Sequence, residues 1–195
     1  MKKFIVIPLF LTMILSLCSC GSSSPEDTVK SFCSAMQNFD TQTMATFLMD
    51  YEPTDSSDTN DNLGQNEFSE FIKQYSSQIK YNIEKTEINE DKAVVTVKFD
   101  YPDLSPVVPD ILDGYYEEVI IMLYGGATED EMAQLMAKHF KAGLEGYDPV
   151  TISDTIGFSL IKEDGTWKLI DFPDKIEDIM AGNINEGYDY YNNHY

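Results

Sequence analysis

Few residues of this 195-residue chain have a type and spacing that could support chemistry. His139 is the one histidine outside the C-terminal segment, and it could serve as a general base or a metal ligand. Its neighbours at helical spacing are apolar, and no second ligand stands near it in the sequence. The pattern therefore favours a histidine at the edge of a core, with a hydrogen-bonded nitrogen.

An acidic loop over residues 50–64 offers a second candidate. Its Asp58-x-Asn60-x-Asn62 spacing is similar to the start of a calcium-binding loop. Leu63 stands where the sharp turn of such a loop needs glycine, and Ser69 stands where the bidentate glutamate belongs. A solvated loop without metal is the expectation, with calcium binding as the alternative.

The N-terminus has the pattern of an export signal. Lys2 and Lys3 precede an apolar run over residues 4–17, which is short for a membrane span and ends in small residues. We expect residues 1–19 to be removed as a signal peptide. An ordinary cleaved signal or an uncut membrane anchor is the alternative.

The cysteine after this run is the predicted lipid attachment site. Leu17-Cys18-Ser19-Cys20-Gly21 resembles a bacterial lipobox, with an aliphatic residue three positions before a cysteine and small residues on either side of it. This resemblance implies that Cys20 carries acyl chains, palmitate among them, that hold the protein on the membrane. Cys18 is the rival, but the leucine before it suits a small-residue cleavage pocket poorly. Residues 20–24 would then form a short lipidated tether.

The third cysteine, Cys33, would be left without a disulfide partner. It follows Phe32 on the apolar face of the first predicted helix, where a thiol behaves as a small hydrophobic group. No nearby charge favours its thiolate, so a reactive role is the weaker interpretation.

The charge of the chain excludes one class of partner. The formal net charge is −21, it becomes −23 once Lys2 and Lys3 are removed, and all thirteen basic residues are lysine. A nucleic-acid-binding protein needs a basic surface rich in arginine, and anionic lipid would repel this chain. We therefore expect no nucleic-acid partner, and membrane contact only through the lipid anchor.

Hydrophobic periodicity predicts helices before a sheet. A helix should begin at Ser24-Pro25 and bury Val29, Phe32 and Met36, followed by shorter helices over residues 41–49 and 66–76. Residues 79–83 and 95–101 alternate as a half-buried antiparallel pair around a turn at residues 89–92.

The stretch 156–172 predicts a β-hairpin. Two alternating runs flank Asp164-Gly165, a dipeptide suited to a type I′ turn. The predicted register pairs Leu160 with Leu169, Lys162 with Trp167, and Phe158 with Asp171.

Two helices should fill the segment before the hairpin, over about residues 106–145. The first should begin at Pro109 or Asp110 and end at Gly125-Gly126. Thr128-x-x-Glu131 should cap the second. Residues 174–181 form a further short helix, and the Tyr-rich acidic segment 183–195 is expected to be a mobile tail, or alternatively a strip that packs back on the domain.

This order indicates an α+β domain over residues 25–173. The opening residues 25–32 (PEDTVKSF) with Asp40 beyond them, the strand 93–101 and the closing residues 158–170 (FSLIKEDGTWKLI) resemble bacterial lipoproteins with a nuclear transport factor 2-like domain. The resemblance implies a curved antiparallel sheet of about four strands packed on the long N-terminal helix as a cone, with the two-helix segment as an insertion.

Two functions follow as expectations. The first is a non-catalytic lipoprotein on the extracytoplasmic face of the cell membrane, which binds an envelope protein or a small apolar ligand and needs no cofactor. The alternative is a cone-pocket enzyme of isomerase or dehydratase type, because some proteins with that fold are such enzymes. Its available residues would be Tyr81, Tyr101, His139 and Asp171, although no spacing brings them together.

Overall fold

The computed structural model of the chain describes residues 23–50 and 63–194. The predicted signal peptide, the lipid site Cys20 and the Asp58-x-Asn60-x-Asn62 motif lie outside the described residues. Within them the fold is α+β, as the sequence predicts, with a four-stranded antiparallel sheet and helices on either side of it in sequence.

The sheet is a meander in the order β1-β2-β3-β4. Its strands are β1 (Lys80–Asn89), β2 (Lys92–Pro102), β3 (Thr151–Glu163) and β4 (Thr166–Leu169). Buried and more exposed residues alternate along β2, as expected of a sheet with one face on the core. The turn between β1 and β2 falls at the predicted position, and Glu90 in it has a φ of 56°.

The predicted hairpin forms between β3 and β4. Asp164 and Gly165 have φ values of 48° and 84°, the positive pair that a type I′ turn requires. Leu160 pairs with Leu169 and Lys162 with Trp167, as predicted. The predicted pair of Phe158 with Asp171 is wrong, because β4 ends at Leu169 and Asp171 is exposed beyond it. Phe158 pairs instead with Val95 of β2.

Helix α1 (Pro25–Gln37) lies across the buried face of the sheet. Ser24 caps it by accepting a hydrogen bond from the Asp27 amide, while the Asp27 carboxylate accepts one from the Ser24 amide. Phe32, Cys33 and Met36 of α1 are fully buried against the sheet. α2 (Thr41–Ala45) is shorter than predicted, because Leu48 leaves the helix to form a parallel bridge with Leu169 at the edge of β4.

A helical layer forms a second apolar cluster beyond the end of β2. It comprises α3 (Leu63–Ser76), α4 (Val108–Tyr124), α5 (Glu129–Leu144) and, after the hairpin, α7 (Ile184–His194), with a 3₁₀ turn at Ser105–Val107. The short α6 (Lys175–Met180) belongs to the sheet core, where Ile176, Ile179 and Met180 are buried. The predicted insertion of two helices is therefore present as α4 and α5. Thr128 and Glu131 form the predicted capping box of α5.

The C-terminal segment is not the mobile tail that its composition suggests. Residues 184–194 form α7, which packs on α4 and on the 3₁₀ turn. Ile184 and Gly187 are buried, and a Cβ on Gly187 would lie 2.5 Å from the Ser105 carbonyl oxygen. The packing interpretation of this segment is the correct one.

Candidate functional site

The space between α1 and the sheet is filled by side chains. Phe32 of α1 contacts Phe158 of β3 with ring centroids 5.5 Å apart, and it contacts Phe172 at 5.3 Å. The sheet residues that face α1 are fully buried: Val95, Val97, Phe99, Phe158, Leu160 and Leu169. Because large apolar groups fill this face, it has the character of a core rather than of a ligand pocket.

A buried polar pair closes one end of this core. Tyr101, near the end of β2, is 1% exposed, and its hydroxyl donates a short hydrogen bond to the Asp154 carboxylate on β3. Burial, followed by this hydrogen bond and the negative charge of Asp154, raises the pKa of Tyr101 far above its usual value of 10.0. The phenol is therefore held protonated as a donor and is a poor base.

A groove of about 860 Å³ opens beside this pair, at the end of the sheet that joins the helical layer. Gln37, Lys80, Asp100 and Asp148 are among the residues that line it. The Gln37 side-chain amide donates to the Ile79 carbonyl oxygen at 2.6 Å, and Asp100 accepts from the Ser153 hydroxyl. These two side chains are engaged within the protein.

The other predicted catalytic residues have separate surroundings. Tyr81 lines a second groove of about 440 Å³ between α1 and β1, where its hydroxyl lies 3.5 Å from the Lys30 carbonyl oxygen. Asp171 is exposed after β4. Tyr81, Tyr101 and Asp171 thus have different neighbours. The carboxylate that accepts the hydrogen bond of Tyr101 belongs to Asp154. This pair could not be predicted from the sequence, because the two residues are 53 positions apart.

His139 lies between α5 and α4, and it has a partner that the sequence concealed. Its Nε2 atom lies 3.4 Å from Glu118 Oε1, while Lys138 Nζ lies 3.0 Å from Glu118 Oε2. The expectation of a hydrogen-bonded nitrogen is wrong for Nε2, because the contact has an ion-pair distance without hydrogen-bond geometry and the atom is buried. The Lys138 hydrogen bond is the main cause that lowers the pKa of Glu118.

This histidine does not belong to a metal centre in the described part of the chain. Among residues 23–50 and 63–194, no three or more His, Cys, Asp or Glu side chains come together as metal ligands. His139 and Glu118 are two such side chains, and their neighbour Lys138 is a cation that opposes metal binding there.

The outer surface of α4 is a feature that the sequence reasoning missed. Of the ten large hydrophobic residues that are exposed in the described part of the chain, five lie within residues 116–124. They are Tyr116, Ile120, Ile121, Leu123 and Tyr124, and we call them the α4 outer stripe. The periodicity of α4 predicted its buried face correctly at Ile111 and Val119. The sequence contained a sign of this second apolar face. Near its C-terminal end α4 has apolar residues on its outer side as well as on its buried side, a pattern typical of a helix that packs against other protein on both sides.

None of the helices in the described residues combines the length and apolarity needed to cross a membrane.

Comparisons with known proteins were made at the levels of family, sequence and structure. No family model and no curated protein matches the chain. Among solved structures, the chain is similar to the crystal structure of "a putative lipoprotein (ycdA)" from Bacillus subtilis subsp. subtilis str. 168, with 17% identity and a TM-score of 0.39. The match covers 82% of this chain and 46% of that one, so the chain spans about half the length of that protein. At this TM-score the likeness carries no argument about role.

Proposed function

We propose that this protein is a non-catalytic interaction module, anchored by lipid on the extracytoplasmic face of the cell membrane, that binds another protein of the envelope. The observation that carries the proposal is the filled space between α1 and the sheet. A cone-shaped binding protein or enzyme would need an open, partly polar cavity there. Phe32, Met36 and Phe158 occupy that position instead, which favours contact through an outer surface.

The lipid anchor is supported by the residues around Cys20. Leu17, Ser19 and Gly21 are the flanking residues that the lipobox resemblance requires. Two or three acyl chains would hold the protein firmly, whereas a single chain binds only reversibly. With a net charge of −23 after processing, the domain itself would be repelled by anionic lipid and would stand away from the bilayer.

The finer fold assignment belongs to the same proposal. A meander that packs on a long N-terminal helix, with a helical insertion between its second and third strands, supports the resemblance to nuclear transport factor 2-like lipoproteins. In this protein the helix and the sheet pack directly on each other, so the fold would serve as a scaffold rather than a container.

Cell fractionation tests the anchor. We expect the full-length protein to incorporate labelled palmitate and to sediment with membranes, and we expect Cys20→Ala to lose both properties. Cys18→Ala is the matched control, and it should remain lipidated and membrane-bound. If Cys20→Ala still sediments with membranes after its signal is removed, the anchor is wrong.

Crosslinking in the native envelope tests the interaction role. A lysine-reactive crosslinker should join the anchored protein to a discrete envelope protein, and the released Cys20→Ala variant should give less of that product. A protein that yields no crosslinked species, although it is anchored and abundant, would contradict the interaction role and leave the anchor standing.

A further inference from the structure

The α4 outer stripe is a group of exposed apolar side chains on one helix, and the exposed Glu117, four positions before Ile121, lies among them. Tyr116, Ile120 and Tyr124 follow each other at spacings of four residues, so they lie in one row, with Leu123 and Ile121 on either side of it. Ile121 is 73% exposed and Tyr124 is 92% exposed. Single exposed hydrophobic residues are ordinary on a protein surface, but a contiguous group marks an interaction site.

The rest of the chain already covers the other sides of α4. Ile111 and Leu112 pack into the helical cluster, and α5 lies against the side that carries Gly114 and Glu118. A Cβ on Gly114 would lie 2.9 Å from His139 Nδ1, which shows how closely the two helices approach. In the described residues Ile120, Ile121, Leu123 and Tyr124 of the stripe are more than half exposed, whereas Tyr116 at its start is partly covered by Tyr191 of α7.

The helix that carries the stripe and its neighbour α7 are both acidic. α4 packs on α7, where Tyr116 stacks on Tyr191 with ring centroids 5.8 Å apart and the Tyr191 hydroxyl donates to Asp113 at 2.9 Å. The two helices carry no lysine or arginine. Their acidic residues are Asp110, Asp113, Glu117, Glu118, Glu186 and Asp189, and only Glu118 faces a lysine, Lys138 of α5.

We propose that the α4 outer stripe docks an apolar helical segment of an envelope protein whose flanking residues are lysine or arginine. The proposal rests on the interaction role proposed above and names the surface and the chemistry of the partner. Apolar side chains of the partner would cover Ile120, Ile121 and Tyr124. The lysine or arginine residues that flank its apolar segment would contact the acidic residues of α4 and α7. Charge complementarity of this kind selects the partner and speeds its association.

Two other occupants fit the surface less well. If a second copy of this chain bound there, the acidic residues of α4 and α7 in one copy would face the same acidic residues in the other. Like charges across an interface oppose association. A lipid surface is disfavoured by position. α1 begins beside Thr86, near the β1–β2 turn, and ends beside Ile79, where the sheet meets the helical layer. A tether that precedes α1 would therefore attach near the β1–β2 turn, at the opposite end of the sheet from the point where the chain leaves for α4.

Site-specific photocrosslinking in the native envelope is the first test. A photoreactive residue replaces Ile121 in the full-length anchored protein, and in a matched control it replaces Ile88 of β1, which is 59% exposed. We expect crosslinks at position 121 to an apolar segment flanked by lysine or arginine, mapped by mass spectrometry, and few at position 88. Crosslinks at 121 to lipid, to a second copy, or to an acidic or polar segment would overturn the proposal.

Binding of two defined peptides is the second test. Both peptides carry the same apolar helical stripe, one with lysine flanks and one with glutamate flanks. The full-length lipidated protein is held in phosphatidylcholine nanodiscs, with empty nanodiscs as the blank. We expect only the lysine peptide to bind, and its affinity to fall as salt is raised. Equal binding of the two peptides, or none, would overturn the proposal.

A matched pair of variants ties that binding to the stripe. Ile121→Ser should lower the affinity for the lysine-flanked peptide by about tenfold, which is the effect expected of a residue at the centre of an interface. Ile88→Ser should leave that affinity unchanged. Both side chains are exposed, so both variants should fold like the parent protein. Equal affinities for the two variants would contradict the proposal. Crosslinks at position 88 but not at position 121 would show that the interface lies near β1. They would contradict docking on the α4 outer stripe but not the proposed interaction role.

Discussion

At the scale of the residue, Tyr101 is the most constrained polar group of the sheet core. It is buried at the end of β2 and donates to Asp154, and the same two factors that raise its pKa, burial and a neighbouring carboxylate, make it a structural donor. Tyr101→Phe removes the donor and leaves the Asp154 carboxylate short of one partner. We expect a loss of about 1–2 kcal/mol in the free energy of unfolding, measured by urea denaturation.

Tyr81→Phe is the control for that measurement. The Tyr81 hydroxyl is exposed and lies 3.5 Å from its nearest acceptor, so its removal should change the free energy of unfolding by less than about 0.5 kcal/mol. Equal losses for the two variants would contradict the assignment of Asp154 as a stabilising partner.

Cys33 gives a second prediction at this scale. Burial raises the pKa of its thiol to about 12, so the nucleophilic thiolate is scarce at neutral and mildly alkaline pH. We expect no reaction with a water-soluble disulfide reagent at pH 8 in the native protein, and complete reaction in denaturant. Rapid modification of the native protein would contradict the buried, structural role of Cys33.

At the scale of the element, the β3–β4 hairpin depends on one glycine. Gly165 has a φ of 84°, which an alanine adopts only with strain, so Gly165→Ala should lower the free energy of unfolding by about 1 kcal/mol. Gly157, in β3, is the matched control. A Cβ there would make an ordinary contact with Val94 at 3.6 Å, and we expect Gly157→Ala to be neutral or stabilising in the same denaturation experiment.

Local signals predicted this hairpin, the capping box of α5, and the start and apolar face of α1, because each depends on residues close together in the chain. α7 could not be predicted in the same way. Its sequence, INEGYDYYNNH, is mostly polar, and its order comes from packing of Gly187 on the Ser105–Val107 turn and of Tyr191 on α4. These contacts join positions about 80 residues apart.

The same limit explains which site residues could be found from sequence. Glu118 lies 21 positions from His139, and Asp154 lies 53 from Tyr101, so neither partner has a spacing that a motif could capture. The α4 outer stripe was present in the sequence as apolar residues at positions 116–124 outside the predicted buried face. Only the structure shows that one face of α4 is covered and the other is not.

At the scale of the whole molecule, the proposed lipid tether would determine which end of the domain faces the membrane. Residues 20–24 can reach at most about 14 Å. α1, about 20 Å long, starts near the β1–β2 turn and ends where the sheet joins the helical layer. The chain leaves the sheet for α4 after Pro102 and returns at Thr151, and these two residues pair at that far end. The two hairpin turns should therefore lie near the bilayer, and the end of the sheet from which the chain enters α4 should lie away from it.

Energy transfer to labelled lipid measures this orientation. Glu90→Cys in the β1–β2 turn and Tyr124→Cys at the end of α4 each supply one exposed thiol, and the buried Cys33 should not compete for the dye. We expect stronger transfer from position 90 than from position 124 to acceptors in the lipid headgroups. Insertion of a 20-residue Gly-Ser linker after Gly21 should reduce the difference, because the domain can then tumble. Stronger transfer from position 124 would place the apolar stripe against lipid and exclude the docking of a protein partner there.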